Sequence, residues 1–321
     1  MNPQTLLTLR IDAIRCEARD ALLIELRDPV GGPLPPFTAG AHVELEIEPR
    51  LRRSYSLCND PSERDRYCLG IGLARDSRGG SRRIHDSYRV GQRVRVSEPR
   101  NHFPMSAADG ERLFIAGGIG ITPIMAMIHQ SEREGRPWTL HYCVRNRVRA
   151  AFYETLQALA PGRVHFHFDD EQQGRLFDAD AALRRAPASA GIYTCGPEPL
   201  MKAVEAAGSR SGRAADDLHF EWFSAAAVDS AADKAFRVLL ARTGIELQVP
   251  ADRSLLDVLE ENGCGVPYAC REGTCGTCRT EVLAGDCEHR DTVLSAAEKA
   301  GNRAIMVCVS RARSERIEID L

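Results

Sequence analysis

The chain has 321 residues, with 42 Lys+Arg against 45 Asp+Glu for a formal charge of −3, and it is 43% hydrophobic and 27% charged. At roughly 100–200 residues per domain this length calls for two or three domains, and the balanced charge lacks the strongly basic footprint of a general nucleic-acid binder. The most apolar stretch, residues 114–128, is interrupted by Gly117, Gly118, Gly120, Thr122 and Pro123 and falls short of the ~20 apolar residues of a bilayer span, so neither nucleic acid nor membrane is expected as a partner. The N-terminus has no basic segment followed by an apolar run and a small-residue cleavage site; the expected compartment is the cytoplasm.

In chain order, residues 1–106 read as short strands (TLRIDAIRC, ALLIELRD, HVELEIEP, RRSYSLCN, YCLGIGLA, QRVRVSEP) separated by Gly-, Pro- and Asp-rich turns, the signature of an antiparallel β-barrel. From 107 to 225 the apolar runs RLFIA, WTLHYCV, RVHFHF and AGIYTC alternate with helical stretches, which predicts a parallel α/β, Rossmann-like sheet. Residues 226–233 lie in SAAAVDSAAD, a small and polar stretch expected as a linker. A third domain is expected over 234–321. It should open with a hairpin turning at Thr243-Gly244, followed by a short helix capped by Ser254 and stopped by Gly263.

Of 11 cysteines, six lie between Cys264 and Cys308, and crowding of that kind in a reducing compartment points to metal or redox chemistry. Cys270, Cys275, Cys278 and the distant Cys308 give C-x4-C-x2-C…C, the plant-type spacing of a 2Fe-2S cluster. Gly273 and Gly276 permit the sharp turns such a loop requires. The alternative is a tetrahedral zinc site, but that usually offers two C-x2-C knuckles and here there is one. Cys264 and Cys287 read as ordinary thiols. Cys16, Cys58, Cys68 and Cys143 read as small core-filling residues.

Strand RLFIA runs into GGIGITP and then a helix, with Gly117, Gly118 and Gly120 allowing close backbone approach, Thr122 placed to cap and Pro123 suited to the first turn. Such a helix start attracts phosphate. A second tight turn, Cys195-Gly196-Pro197, follows strand GIYTC and places Cys195 at the carboxyl end of a parallel strand, where open α/β sheets bind ligands. His165 and His167 alternate on one strand, which a polar edge face explains more simply than a metal. Arg145, Arg147 and Arg149 read as a solvated face, with Arg145 able to meet a cofactor ribose.

As a set these motifs resemble the phthalate dioxygenase reductase family of flavin and iron-sulfur reductases, which includes the reductases of vanillate O-demethylases. Arg53, Ser54, Tyr55 and Ser56 resemble the family's R-x-Y-S flavin motif, and Arg78, Gly79, Gly80 and Ser81 its flavin-phosphate turn. GGIGITPIM and CGPEPLM resemble its nicotinamide-binding segments, HFEWF its flavin-stacking tail ending in Phe223, and CREGTCGTC with IMVCVSRA its C-terminal ferredoxin. The resemblance implies three parts: a flavin barrel, an NAD domain and a β-grasp plant-type ferredoxin. It also implies that Gly70, Ile71 and Gly72 lend backbone groups to the flavin, and that Ser56, Cys195 and Phe223 position the reacting rings.

The implied function is an NADH-dependent oxidoreductase. NADH gives electrons in pairs and a 2Fe-2S centre takes them singly, so a flavin must divide the pair. The implied flavin is FMN, with FAD as the alternative. Asp169, followed by Asp170, would oppose a 2′-phosphate if it lies near that ribose and so favours NADH, whereas Arg145, Arg147 and Arg149 argue for NADPH. The implied partner is a separate terminal oxygenase of the Rieske type, acting on aromatic rings or O-methyl groups; a cytochrome P450 acceptor is the nearest alternative. A redox-sensing binding protein is the alternative from another class.

Overall fold

The computed structural model describes residues 6–48, 51–74, 79–107, 110–172, 175–223, 233–268 and 270–321. They divide into two compact units, Met1–Glu221 and Trp222–Leu321.

In the first unit, β1 (Leu6–Ala18), β2 (Ala21–Arg27), β3 (Ala41–Glu48), β4 (Leu51–Ser56), β5 (Tyr67–Gly72), β6 (Arg93–Ser97) and β7 (Arg100–Asn101) form one sheet. Its order is β4-β3-β6-β1-β2-β5, with β7 beside β3, and neighbours are antiparallel. A bridge between Leu57 and Leu69 joins the two ends of that order and closes the barrel. Alternation does the sorting: Leu9 and Ile11 from β1, Ile24 and Leu26 from β2, and Val43 and Leu45 from β3 fill the interior. The segment expected as a phosphate turn leads into α1 (Gly80–Ser87). Gly79, at φ 92°, reverses the chain, and the buried Ile84 anchors the helix.

A five-stranded parallel sheet follows, built from β8 (Arg112–Gly117), β9 (Trp138–Val144), β10 (Val164–Phe168), β11 (Gly191–Cys195) and β12 (Leu218–Glu221) in the order β10-β9-β8-β11-β12. Its helices are α2 (Ile121–Glu134), α3 (Tyr153–Leu159), α4 (Ala179–Arg185) and α5 (Glu198–Ser211). One continuous apolar core runs from the barrel's Leu45 and Phe103 to Phe114, Ile121 and Cys195 of the sheet, so the barrel and the α/β layer share a single compact unit.

In the second unit, β13 (Phe236–Leu240) and β14 (Ile245–Val249) make the expected hairpin, with Gly244 at φ 71°. Helix α6 (Leu255–Glu261) carries Ser254 as N-cap in a reciprocal capping box with Asp257, and Gly263 follows it at φ 71°. Then come β15 (Arg279–Ala284), β16 (Cys287–Glu288), α7 (Ala296–Gly301), β17 (Ala304–Met306), β18 (Arg311–Ala312) and β19 (Arg316–Ile319). The mixed sheet runs β14-β13-β19-β15-β17, with the parallel pairing β13–β19 at its centre. This is the β-grasp arrangement, with α6 burying Leu255, Leu256 and Leu259 in the core. Of the expected linker, residues 226–232 lie outside the described residues; Asp233 is held by Arg290 at 3.0 Å. Among the described residues no helix is long and apolar enough to cross a membrane.

Candidate functional site

The carboxyl ends of β8, β9, β10 and β11 open into a cleft of about 540 Å³, closed on the other side by the β1–β2 turn and the end of β5. Two glycine turns form its floor by interlocking backbone against backbone. A Cβ on Gly120 would lie 2.3 Å from the Cys195 carbonyl oxygen, and one on Gly196 would lie 2.9 Å from Gly117 Cα. Side chains are excluded there by contact, which is why both turns read as glycine-rich. Tyr142 Oη donates to the Gly118 carbonyl at 3.0 Å and fixes the first turn. Helix α5 starts from this floor without a side-chain cap, while α2 continues from a 3-10 turn over Gly118–Gly120 whose Gly118 carbonyl accepts the Ile121 N–H; the dipoles of both helix starts favour an anionic ligand. Thr122 does not cap: Gly120 holds the N-cap position, and Thr122 Oγ1 donates to the Ile119 carbonyl at 3.0 Å.

Gly70 and Gly72 have a packing role that the sequence did not announce. A Cβ on Gly70 would meet Thr122 Cγ2 at 2.4 Å, and one on Gly72 would meet Ile119 at 3.3 Å. Bare backbone on β5 is what allows the dinucleotide loop to lie against the barrel. The Ile71 carbonyl is engaged by His85 Nε2 at 2.9 Å.

Where barrel and sheet meet, three strands end together. Ser56 closes β4, Cys195 closes β11, and Glu221 closes β12 in register with Cys195. The buried Ser56 hydroxyl donates to Glu221 Oε2 at 3.4 Å. Burial pushes the Glu221 carboxyl up to about 8, so it holds a proton at neutral pH. Burial likewise keeps the Cys195 thiol protonated. Sequence reasoning took Phe223 from HFEWF and passed over Glu221. The available signal was a carboxylate ending a strand beside the cysteine turn. Phe223 itself stands two residues beyond β12 and is 38% exposed.

The features expected for flavin phosphate gather at the barrel's α1 end. A Cβ on Gly80 would come within 2.9 Å of Arg53 Cγ, so the arginine lies directly against the start of α1. That helix also lacks a side-chain cap. Ser81 Oγ accepts from the Ala74 N–H at 3.2 Å, tying the helix to the end of β5. A guanidinium beside uncapped N–H groups suits a phosphate monoester. Ser54 and Tyr55 lie beside Arg53 on β4; Arg78 lies outside the described residues.

The strand-end charges sort into different roles. Arg145 and Asp169 line the cleft, and the turns carrying them are zipped together by Asp169 N–H to Val144 O at 3.0 Å and Asp170 N–H to Arg145 O at 3.1 Å. Arg147 points away, 3.5 Å from Glu171. Arg149 is not a solvated charge: it lines the cleft and pairs with Asp20. His141 and His165 stack at 5.0 Å, and His141 Nδ1 lies 3.0 Å from His167 Nε2 under Phe177. Burial lowers His141 to about 4, leaving its ring neutral at pH 7 on a partly covered edge. Of the cysteines read as core-filling, Cys58 and Cys68 are buried, but Cys16 is exposed and Cys143 lines the cleft.

In the second unit the buried thiols of Cys270, Cys275, Cys278 and Cys308 fall into two pairs. Cys278 and Cys308 Sγ lie 3.2 Å apart, and Cys270 hydrogen-bonds Cys275, which draws Cys270 below its ordinary range. Among the described residues no three or more His, Cys, Asp or Glu side chains converge on one ion. Two pairs match a binuclear centre better than a single tetrahedral ion. The Glu272 N–H donates to Cys270 Sγ at 3.3 Å. Gly273, at φ 68°, packs so closely that a Cβ would lie 2.6 Å from Val309. Arg271, at φ 57°, is clamped by Asp257 at 2.8 Å and by Glu260, and lies 4.4 Å over the Tyr268 ring. Cys264 and Cys287 stand apart as free thiols.

Comparison with known proteins agrees with both sites. Residues 114–206 match the oxidoreductase NAD-binding domain, and residues 238–313 match the 2Fe-2S iron-sulfur cluster binding domain. A vanillate O-demethylase oxidoreductase of Pseudomonas sp. is 42% identical, covering 97% of this chain and 98% of its own. A solved phthalate dioxygenase reductase, described as a modular structure for electron transfer from pyridine nucleotides to [2Fe-2S], is 38% identical with a TM-score of 0.76 over 98% of each chain. An intact type IV self-sufficient cytochrome P450 monooxygenase is 36% identical with a TM-score of 0.86; the match covers 98% of this chain but 41% of that longer one. With a dinucleotide cleft, a four-thiol site and relatives matched end to end, the chain belongs to the phthalate dioxygenase reductase family of NAD-binding, 2Fe-2S oxidoreductases.

Proposed function

We propose that this chain is the reductase component of an oxygenase system, drawing electrons from NADH and delivering them through FMN and the 2Fe-2S cluster to a separate terminal oxygenase. The observation that carries this reading is the union in one polypeptide of a dinucleotide cleft and a site of four thiols, three on one loop and the fourth at Cys308. Relatives named as oxygenase and demethylase reductases support the partner. Asp169 in the cleft supports NADH, and the cradle of Arg53 with the start of α1 suits a terminal phosphate such as FMN carries.

When bound, flavin accepts electrons as a pair and gives them singly, which is what a one-electron cluster requires. The chain's own residues set the conditions. The interlocked turns at Gly120 and Gly196 orient the nicotinamide half by backbone contact. Ser56 presents a hydroxyl held by Glu221, whose carboxyl keeps a proton at neutral pH. Cys195, neutral and fully buried, fills the wall without adding charge. Arg53 and the start of α1 would hold the flavin phosphate. Cys270, Cys275, Cys278 and Cys308 would hold the cluster, with Gly273 and Gly276 shaping the loop.

The test separates the two halves. Cys275→Ser should keep NADH-driven ferricyanide reduction close to wild type while cytochrome c reduction drops to background; loss of both together would contradict the relay. The mass of the flavin released by heat distinguishes FMN from FAD. The likeness to a P450 monooxygenase favours a second acceptor class, and reconstitution with a Rieske oxygenase or a P450 decides between them.

A further inference from the structure

The cleft holds an ion pair that belongs to neither wall alone. Asp20 sits in the β1–β2 turn of the barrel, in the left-handed region at φ 65°, with its carbonyl accepting from the Leu73 N–H at 2.7 Å. Arg149 comes from the turn after β9. The two turns are stitched together by Arg19 N–H to the Val148 carbonyl at 2.8 Å and by Phe152 N–H to Glu17 Oε1 at 3.0 Å. Across this seam the Arg149 guanidinium bonds the Asp20 carboxylate, and both side chains line the cleft. They remain 29% and 40% exposed, so the pair is open to exchange with a ligand.

The other charges on the lining are Arg19, Arg145 and Asp169. A guanidinium fork matches a phosphate as well as it matches a carboxylate, and the ligand of this cleft carries phosphates. We propose that Arg149 is a phosphate-binding residue of the dinucleotide cleft, and that Asp20 masks it in the ligand-free protein by occupying the fork a phosphate would take. The proposal rests on the reading that this cleft takes a pyridine dinucleotide. It makes Asp20, a residue of the barrel, a determinant of nucleotide affinity. The phosphate concerned is either the bridging diphosphate common to NAD and NADP or the 2′-phosphate of NADP alone.

The experiment is calorimetric titration of the oxidised holoprotein with NAD+ and with NADP+, for wild type, Asp20→Asn, Arg149→Gln and the double variant. Asparagine tolerates the left-handed turn, so Asp20→Asn removes the charge and keeps the shape. Asp20→Asn should tighten binding by about two- to fivefold, the range an exposed ion pair carries, and Arg149→Gln should weaken it. In the Arg149→Gln background, Asp20→Asn should give no further gain. A gain for both nucleotides assigns the diphosphate; a gain for NADP+ alone assigns the 2′-phosphate and makes Asp20 a specificity residue. Unchanged affinities in Asp20→Asn, or a gain that persists without Arg149, would overturn the proposal. Failure of wild type to bind either nucleotide would instead overturn the reading of the cleft.

Discussion

Ser56 and Glu221 meet at the junction of barrel and sheet from positions 165 residues apart, whereas Cys270, Cys275 and Cys278 sit on one loop and only Cys308 arrives from elsewhere. The first site is therefore a product of packing. Its geometry depends on bare backbone at Gly70, Gly120 and Gly196, where a Cβ would collide with the Thr122 side chain of α2, the Cys195 carbonyl and Gly117 respectively. The second is a product of local conformation, set by left-handed residues at 271, 273 and 276 and by the clamp of Arg271 on α6. A distributed site should fail when strands are pushed apart, and a local site when its loop is loosened.

Gly120→Ala is the strongest way to break the first half of that comparison. Its Cβ would lie 2.3 Å from a backbone carbonyl, so the cost should reach the upper end of the roughly 1–3 kcal/mol typical of overpacking, with a lower Tm of the first unit and weaker NADH-driven ferricyanide reduction. Gly265→Ala, where no atom lies within 4 Å of the added carbon, is the control and should stay within about 0.5 kcal/mol of wild type.

Glu221→Gln sharpens the comparison through pH. The carboxyl is raised from 4.5 to about 8 by burial, so between those values the folded chain binds a proton that the unfolded chain releases. This group's contribution to stability is therefore complete below about 4.5 and is lost as pH rises through about 8. The glutamine variant should show a flatter decline of Tm across that window, measured by calorimetry. An equally steep decline would place the titration elsewhere.

The smallest effect belongs to Ser254→Ala, which removes the cap of α6 and should lower second-unit stability by about 1 kcal/mol. The unfolding of the first unit should not move. Equal shifts in both transitions would show that the loop's support is not local.

The same contrast explains what was legible in the sequence. The cluster ligands could be read from spacing because the loop is contiguous, and the hairpin and capped helix before it carry local signals at Gly244, Ser254 and Gly263. The alternation of strands and helices gave the parallel sheet. Glu221 was missed because its meaning depends on register with Cys195 and on burial, neither of which is written in HFEWF. Arg149 read as solvated because its partner, Asp20, lies on another sheet. Thr122 looked like a cap from its place before a helix, but packing against β5 used its methyl group instead. Cys16 and Cys143 sit on strands whose outward faces alternation alone does not identify.

The central claim is that electrons entering as a pair from pyridine nucleotide leave singly through iron held by the same chain. Anaerobic addition of NADH to protein with its full flavin and iron content, followed by low-temperature EPR, tests it most directly. The account predicts the signal of a reduced 2Fe-2S centre bound by Cys270, Cys275, Cys278 and Cys308. Bleached flavin with iron that stays oxidised would contradict it.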